Sequence, residues 1–231
     1  MKTFRTISLL ISLFLSMMPL AGQSKKYEPL TTWPYLYEEF RPGRLTTWQG
    51  AAVAYDSLNV NLVSGRAHYI QNGTIMETDP NTVALLVIGE DSFVRAEGRM
   101  VKVLRNTEHA AVVLSMTVDA EAMNRTSIGY GTSAIASTQN VSLNAITGGM
   151  DYSSHRSLDA MVRDRYNGEK LAVREVKGIL FQGMFIPASR ADILKIPGID
   201  KDAVKKYIKN EKIRFSDIGD LARLTEFLYS L

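Results

Sequence analysis

The side chains able to do chemistry in this 231-residue chain are few and scattered. Its three histidines, His68, His109 and His155, lie in separate segments. None has a histidine or carboxylate at ligand spacing nearby, so a metal site would have to be assembled wholly by the fold. No metal ligand is expected. The adjacent acids Glu38 and Glu39 would point to opposite faces of a strand. A glycosidase pair must instead face one another across a sugar. There is no Gly-x-Ser-x-Gly elbow and no Ser-x-x-Lys with its companion motifs. Gly129-Tyr130-Gly131 lacks the lysine and the helix start that a phosphate loop requires. With no cysteine, disulfides and thiol catalysis are excluded. No catalytic residue and no cofactor site is expected.

Two groups of residues could bind rather than react. In the first, Tyr27 to Phe40, the aromatic residues Trp33, Tyr35, Tyr37 and Phe40 occur with Pro29 and Pro34. This is the pattern of an extended stretch lying on a sheet, kept off a central strand by its prolines. If exposed, Trp33, Tyr35 and Tyr37 would form a contact surface for a partner. The second group is the run Ala191 to Asp200, which reads Ala-Asp-Ile-Leu-Lys-Ile-Pro-Gly-Ile-Asp, followed by Ala203, Tyr207, Phe215, Asp220 and Leu221. It resembles the helix-hairpin-helix of competence DNA-receptor proteins, whose hairpin amides hold phosphate at a helix N-terminus. The resemblance would place Gly198 in the hairpin and Lys201, Lys205 and Lys206 beside the phosphates. Asp200 stands where that family has a second glycine. Its carboxylate would cap the helix itself and repel an anion by about 1–4 kcal/mol at close range. From Pro187 onward there are nine Lys or Arg against seven Asp or Glu, a weak basic balance.

A second resemblance spans nearly all of the chain after its first residues. Trp33-Pro34-Tyr35-Leu36-Tyr37-Glu38-Glu39-Phe40-Arg41-Pro42-Gly43 and Asn59-Val60-Asn61-Leu62 carry part of it. The closing run from Lys205 to Phe215, with Asp220-Leu221, carries the rest. Together they are similar to a family of uncharacterised exported proteins of Gram-negative bacteria. That likeness implies location and architecture, and no activity.

The elements that must position these residues begin after an expected signal peptide, 1–22. Lys2 and Arg5 precede the apolar run Ile7 to Met18, and small residues with Pro19 follow. The apolar run is too short for a helical span of about 20 residues. Removal of the segment leaves 25 basic against 24 acidic residues, so no general pull toward nucleic acid or anionic lipid remains. The expected location is the periplasm or the outer membrane's surface, without a lipoprotein anchor, because the acylated cysteine is missing. No membrane span is expected in the mature chain.

Residues 23–123 read as an antiparallel β domain. Leu58, Val60 and Leu62 alternate with Asn59, Asn61 and Val63, which suggests one wet face. Turn signals such as Asn72-Gly73 and Asp79-Pro80-Asn81 recur every 8–12 residues. Residues 124–150, rich in Ser, Thr, Gly and Asn, read as a loop or linker. In 151–187 the spacing predicts a hairpin of Met161–Tyr166 with Lys170–Val176 about Asn167-Gly168, joined to the first sheet. Strands at Ile179–Phe181 and Met184–Ile186 continue it. Residues 188–231 should form helices capped by Ser189, Asp200 and Ser216, packed on the sheet through Ile193, Leu194, Tyr207 and Leu224.

The fold class is thus mainly β, as an antiparallel meander, sandwich or open barrel, with a small α-helical C-terminal region. The functional expectation is a non-enzymatic envelope protein that binds a protein or cell-envelope partner. Periplasmic DNA binding by the tail is the alternative.

Overall fold

The computed structural model describes residues 26–127 and 156–231. The expected signal peptide, most of the expected linker, Gly129-Tyr130-Gly131 and His155 lie outside the described residues.

Eight strands come first, as two meanders, β1 (Arg41–Thr47), β2 (Ala52–Val60), β3 (Ala67–Gln71), β4 (Thr74–Glu77) and then β5 (Val83–Ile88), β6 (Asp91–Ala96), β7 (Arg99–Asn106), β8 (Ala111–Val118), with β5 returning to pair with β1. The short β9 (Arg156–Ser157) and the hairpin β10 (Val173–Phe181) and β11 (Met184–Pro187) complete one antiparallel sheet. Its order is β11-β10-β8-β7-β6-β5-β1-β2-β3-β4-β9. Three of its hairpins turn on two consecutive residues with positive φ: Asn72-Gly73, Glu97-Gly98 and Gln182-Gly183. That geometry matches the twist of the strands it joins and favours glycine at the second position.

The sheet does not stay open. Leu36 N–H donates to Val60 O at 2.9 Å and Leu62 N–H to Pro34 O at 2.9 Å, so residues 34–36 pair with the end of β2 past the point where β1 leaves it. On its other side the same segment pairs with the run leading into β10, through Thr31 N–H to Glu169 O at 2.8 Å and Leu171 N–H to Pro29 O at 2.9 Å. Because β10 pairs with β8, the strap of residues 29–36 closes a ring from β2 through β1, β5, β6, β7, β8 and β10. The result is a barrel closed by irregular strap pairing, and β3, β4, β9 and β11 extend beyond it. Gly168 is required where the strap crosses, since a Cβ there would lie 2.5–2.8 Å from atoms of Thr31 and Thr32.

The strap corrects two expectations. Trp33 and Tyr35 are only 2% and 1% exposed, and Tyr37 is 9%, so these rings are interior and form no contact surface. Aromatic edges explain it: Trp33 packs against Tyr35 and Phe40 with ring centroids 5.2 and 5.9 Å apart, and the Trp33 indole N–H donates to Tyr37 O at 3.2 Å. Asn59 and Asn61 do not form a wet face either; both are fully buried. The Asn59 carboxamide accepts from Tyr37 N–H (3.1 Å) and Val60 N–H (2.9 Å). It donates to Tyr37 O (2.9 Å) and Glu39 O (3.2 Å), standing in for a strand the strap lacks. Asn61 Oδ1 shapes the following turn by accepting from Val63 and Ser64 N–H.

Among the described residues, five helices accompany the sheet: α1 (Ala120–Ser127), α2 (Leu158–Asp164), α3 (Arg190–Ile193), α4 (Lys201–Asn210) and α5 (Ile218–Tyr229). Helix α1 runs into the stretch expected as linker. Helix α2 replaces the first arm expected of a hairpin at Met161–Tyr166; Leu158, Met161 and Val162 follow helical spacing, and Met161 is buried beneath the strap beside Trp33 and Ile75. The hairpin is instead β10–β11. In the tail, Ser189 and Asp200 cap α3 and α4 as expected, whereas α5 is capped by Asp217 rather than Ser216.

The tail packs on the sheet as a helical lid. Ile193, Ile196, Val204, Ile208, Leu221, Leu224 and Leu228 form one cluster with Val112 of β8 and Ile179 and Phe181 of β10. Leu194 and Tyr207 flank it. In β8, Val112 and Met116 point to the same side, yet Met116 packs against the barrel cluster of Leu45, Leu58, Leu86, Ile88 and Phe93. One sheet face therefore serves the barrel interior at one end and the tail at the other.

Candidate ligand cavity at the barrel mouth

Register fixes what faces the space between these two cores. Val173 lies opposite Val118 and Glu175 opposite Met116, so Met116, Val173 and Glu175 share the inward face near the ring closure. With Leu36 and Leu62 at the strap junction and Leu171 before β10, they bound a cavity of about 760 Å³. The walls are apolar; charges of both signs stand at the rim, with Lys26 and Arg41 against Glu28, Glu38 and Glu175. An apolar cavity with a few convergent polar groups is the usual form of a binding site.

The rim is held in place by named bonds. Tyr37 donates its hydroxyl to Asp91 Oδ2 at 2.6 Å, and the Arg41 guanidinium sits 4.3 Å over the Tyr37 ring. Lys102 Nζ completes the group at 2.6 Å from Asp91. Burial and the Asp91 acceptor push the Tyr37 phenol above its ordinary range. Burial works against the Asp91 charge, but Lys102 and the Tyr37 hydroxyl keep its carboxyl below the usual value. Tyr27 donates to Tyr35 O at 3.0 Å and lines the cavity on one side. A smaller cavity of about 310 Å³ shares Tyr27 and is walled further by Trp33, Arg165 and Tyr166. Arg165 lies 5.0 Å over the rings of both Trp33 and Tyr166.

One buried chain has the form of a proton relay: Tyr35 OH lies 3.0 Å from His68 Nδ1, and His68 Nε2 lies 3.2 Å from Glu77 Oε2. The His68 hydrogen bond, joined by that of Arg66, holds the Glu77 carboxyl below its ordinary range. His68 is 3% exposed and neither it nor Tyr35 lines the cavities at the mouth. The chain pins the strap to β3 and β4 rather than presenting a reactive group.

The tail hairpin has the expected turn, with Gly198 at φ +80°. The Asp200 carboxylate accepts from Asp202 and Ala203 N–H, both at 3.0 Å, and so takes amides that a phosphate would use. Lys201 and Lys206 are exposed, while Lys205 pairs with Asp202 at 2.9 Å. Sequence reasoning missed Met116, Leu171, Val173 and Glu175, which come to Leu36 and Leu62 only through ring closure. No local signal marks that encounter. It also left His109 isolated, whereas the fold sets it 2.9 Å from Glu226, 117 residues on. No helix of the described residues is long and apolar enough to cross a membrane.

No family model, curated protein or solved structure matches the chain.

Proposed function

We propose that this chain is an exported, non-enzymatic envelope protein that takes an apolar segment of a protein or cell-envelope partner into the barrel-mouth cavity. The supporting observation is the 760 Å³ space itself, apolar within and ringed by Lys26, Arg41, Glu38 and Glu175. Such a rim suits an amphipathic ligand: the apolar part leaves water, and charges of either sign at its end meet a counter-charge.

The test is a photo-crosslinking residue at position 116 in the native host, followed by fractionation. The proposal expects one envelope adduct from position 116 and none from exposed position 53 on β2. Met116→Lys should abolish that adduct in the host, when the crosslinker is moved to position 173. The melting temperature should fall somewhat, since Met116 also packs against the barrel cluster, and circular dichroism checks that the variant is still folded. Equal labelling from positions 53 and 116 would sink the reading.

The alternative is duplex DNA binding by Gly198, Lys201, Lys205 and Lys206, and the Asp200 cap weighs against it. It predicts a complex at low salt that weakens steeply as salt rises. Its absence in a low-salt gel shift ends that alternative.

A further inference from the structure

The turn between β7 and β8 and the last helix meet at three ligand-type side chains. We propose that Glu108, His109 and Glu226 bind a divalent transition-metal ion such as zinc, clasping the tail to the sheet. One imidazole nitrogen and two carboxylate oxygens, one from each residue, lie within 4.8 Å of one another. Zinc bonds of about 2.0–2.2 Å place tetrahedral donors roughly 3.4 Å apart. His109 Nδ1 and Glu226 Oε2, at 2.9 Å, are already close to that separation. Glu108 is exposed, and one of its carboxylate oxygens already lies within 4.8 Å of the ligand atoms of the other two.

Two of the three ligands are oriented in advance. The Glu226 carboxylate is held from two points of one residue, with Oε1 accepting from the His109 backbone N–H at 3.3 Å and Oε2 lying 2.9 Å from His109 Nδ1. The His109 ring stacks on Tyr229 at 5.7 Å with an interplanar angle of 23°, which fixes its plane. Supporting contacts of this kind orient ligands in known metal sites. Glu108 and Glu226 also line a groove of about 650 Å³, so the remaining coordination positions face water. Mixed imidazole and carboxylate donors suit zinc and its transition-metal neighbours better than magnesium or calcium. Arg223 in the same groove is paired with Asp220 at 2.7 Å. Arg105 also lines the groove and sets a limit on affinity.

The experiment is calorimetric titration of the tag-free mature chain with zinc chloride, and with magnesium chloride as comparison, beside thermal melts. The expected result is saturable binding of one zinc at micromolar concentrations, no magnesium heat, and a higher melting temperature with zinc. His109→Ala should lose the binding. Glu108→Gln, which touches no core residue, should weaken it at least tenfold while the metal-free melt stays in place. Wild-type protein with no zinc heat would overturn the proposal. Zinc affinity unchanged in either variant would do so equally.

Discussion

The strap and the tail lie on the same curved sheet, but they are attached by opposite means. The strap, residues 29–36 and its continuation to Phe40, is positioned by directional polar groups: the Asn59 carboxamide, the Tyr35–His68–Glu77 chain and backbone pairing on two sides. The tail is attached by aliphatic burial, and most of its ion pairs are local, such as Lys195 with Asp192 and Lys205 with Asp202. Apolar contact holds two surfaces together without choosing their register; hydrogen bonds at fixed angles choose it. The cavity stands where these two kinds of attachment meet. Its strap side can hold a fixed shape, and its sheet side is shared with a core attached mainly by packing, with few hydrogen bonds to the sheet such as Lys177 Nζ to Ser216 O.

The comparison can be broken most sharply at Trp33. Trp33→Ala should cost about 4 kcal/mol in urea unfolding, because it empties an interior site and removes one of two donors to the Tyr37 carbonyl. A loss of partner binding with unchanged stability would return Trp33 to the surface role. Leu224→Ala, in the tail cluster, should cost about 3 kcal/mol by cavity formation. Asn59→Leu comes next, at about 2–3 kcal/mol, since two buried N–H groups and the Glu39 carbonyl lose this partner and the Tyr37 carbonyl loses one of two. A near-neutral result would mean that burial, not polar direction, attaches the strap as it attaches the tail.

Acid should act on the tail through Asp220. Arg223 and Arg214 hold its carboxyl down to about 2, against an ordinary value of about 3.9. A depressed folded value contributes stability that is complete at neutral pH and is lost as pH falls from about 4 toward 2. Asp220→Asn should flatten that dependence in near-ultraviolet circular dichroism from the tail tyrosines. The smallest effect belongs to the exposed pair of Lys205 with Asp202, where Lys205→Ala should change stability by about 0.3 kcal/mol.

The sheet was largely legible because each strand of the meander carries its own pattern and turn. Asn72-Gly73 announces its hairpin; Gln182-Gly183 and Glu97-Gly98 adopt the same backbone with residues that do not. The tail helices were legible from caps and from Leu221, Leu224 and Leu228. Helix α2 was missed because Tyr166-Asn167-Gly168 imitates a hairpin turn and draws the preceding residues into a strand. Asn59 and Asn61 were misplaced for a deeper reason. Polarity predicts exposure only where no partner is present, and Asn59 bonds to Tyr37, 22 residues away. The cavity was illegible throughout, since Leu36, Leu62, Met116 and Leu171 meet only after the ring has closed.

That closure also has a temporal side. The strap is made early, yet its pairing at 169–171 lies some 140 residues downstream, while each meander hairpin joins neighbours. Long-separation contacts must overcome the entropy of the intervening chain before they return any stabilisation. The meander can thus assemble as the chain emerges, and the ring must wait for residues 169–171. Until then Leu62 and Met116 stand open to solvent, and whatever can cover an apolar gap competes with the chain's own first residues for it.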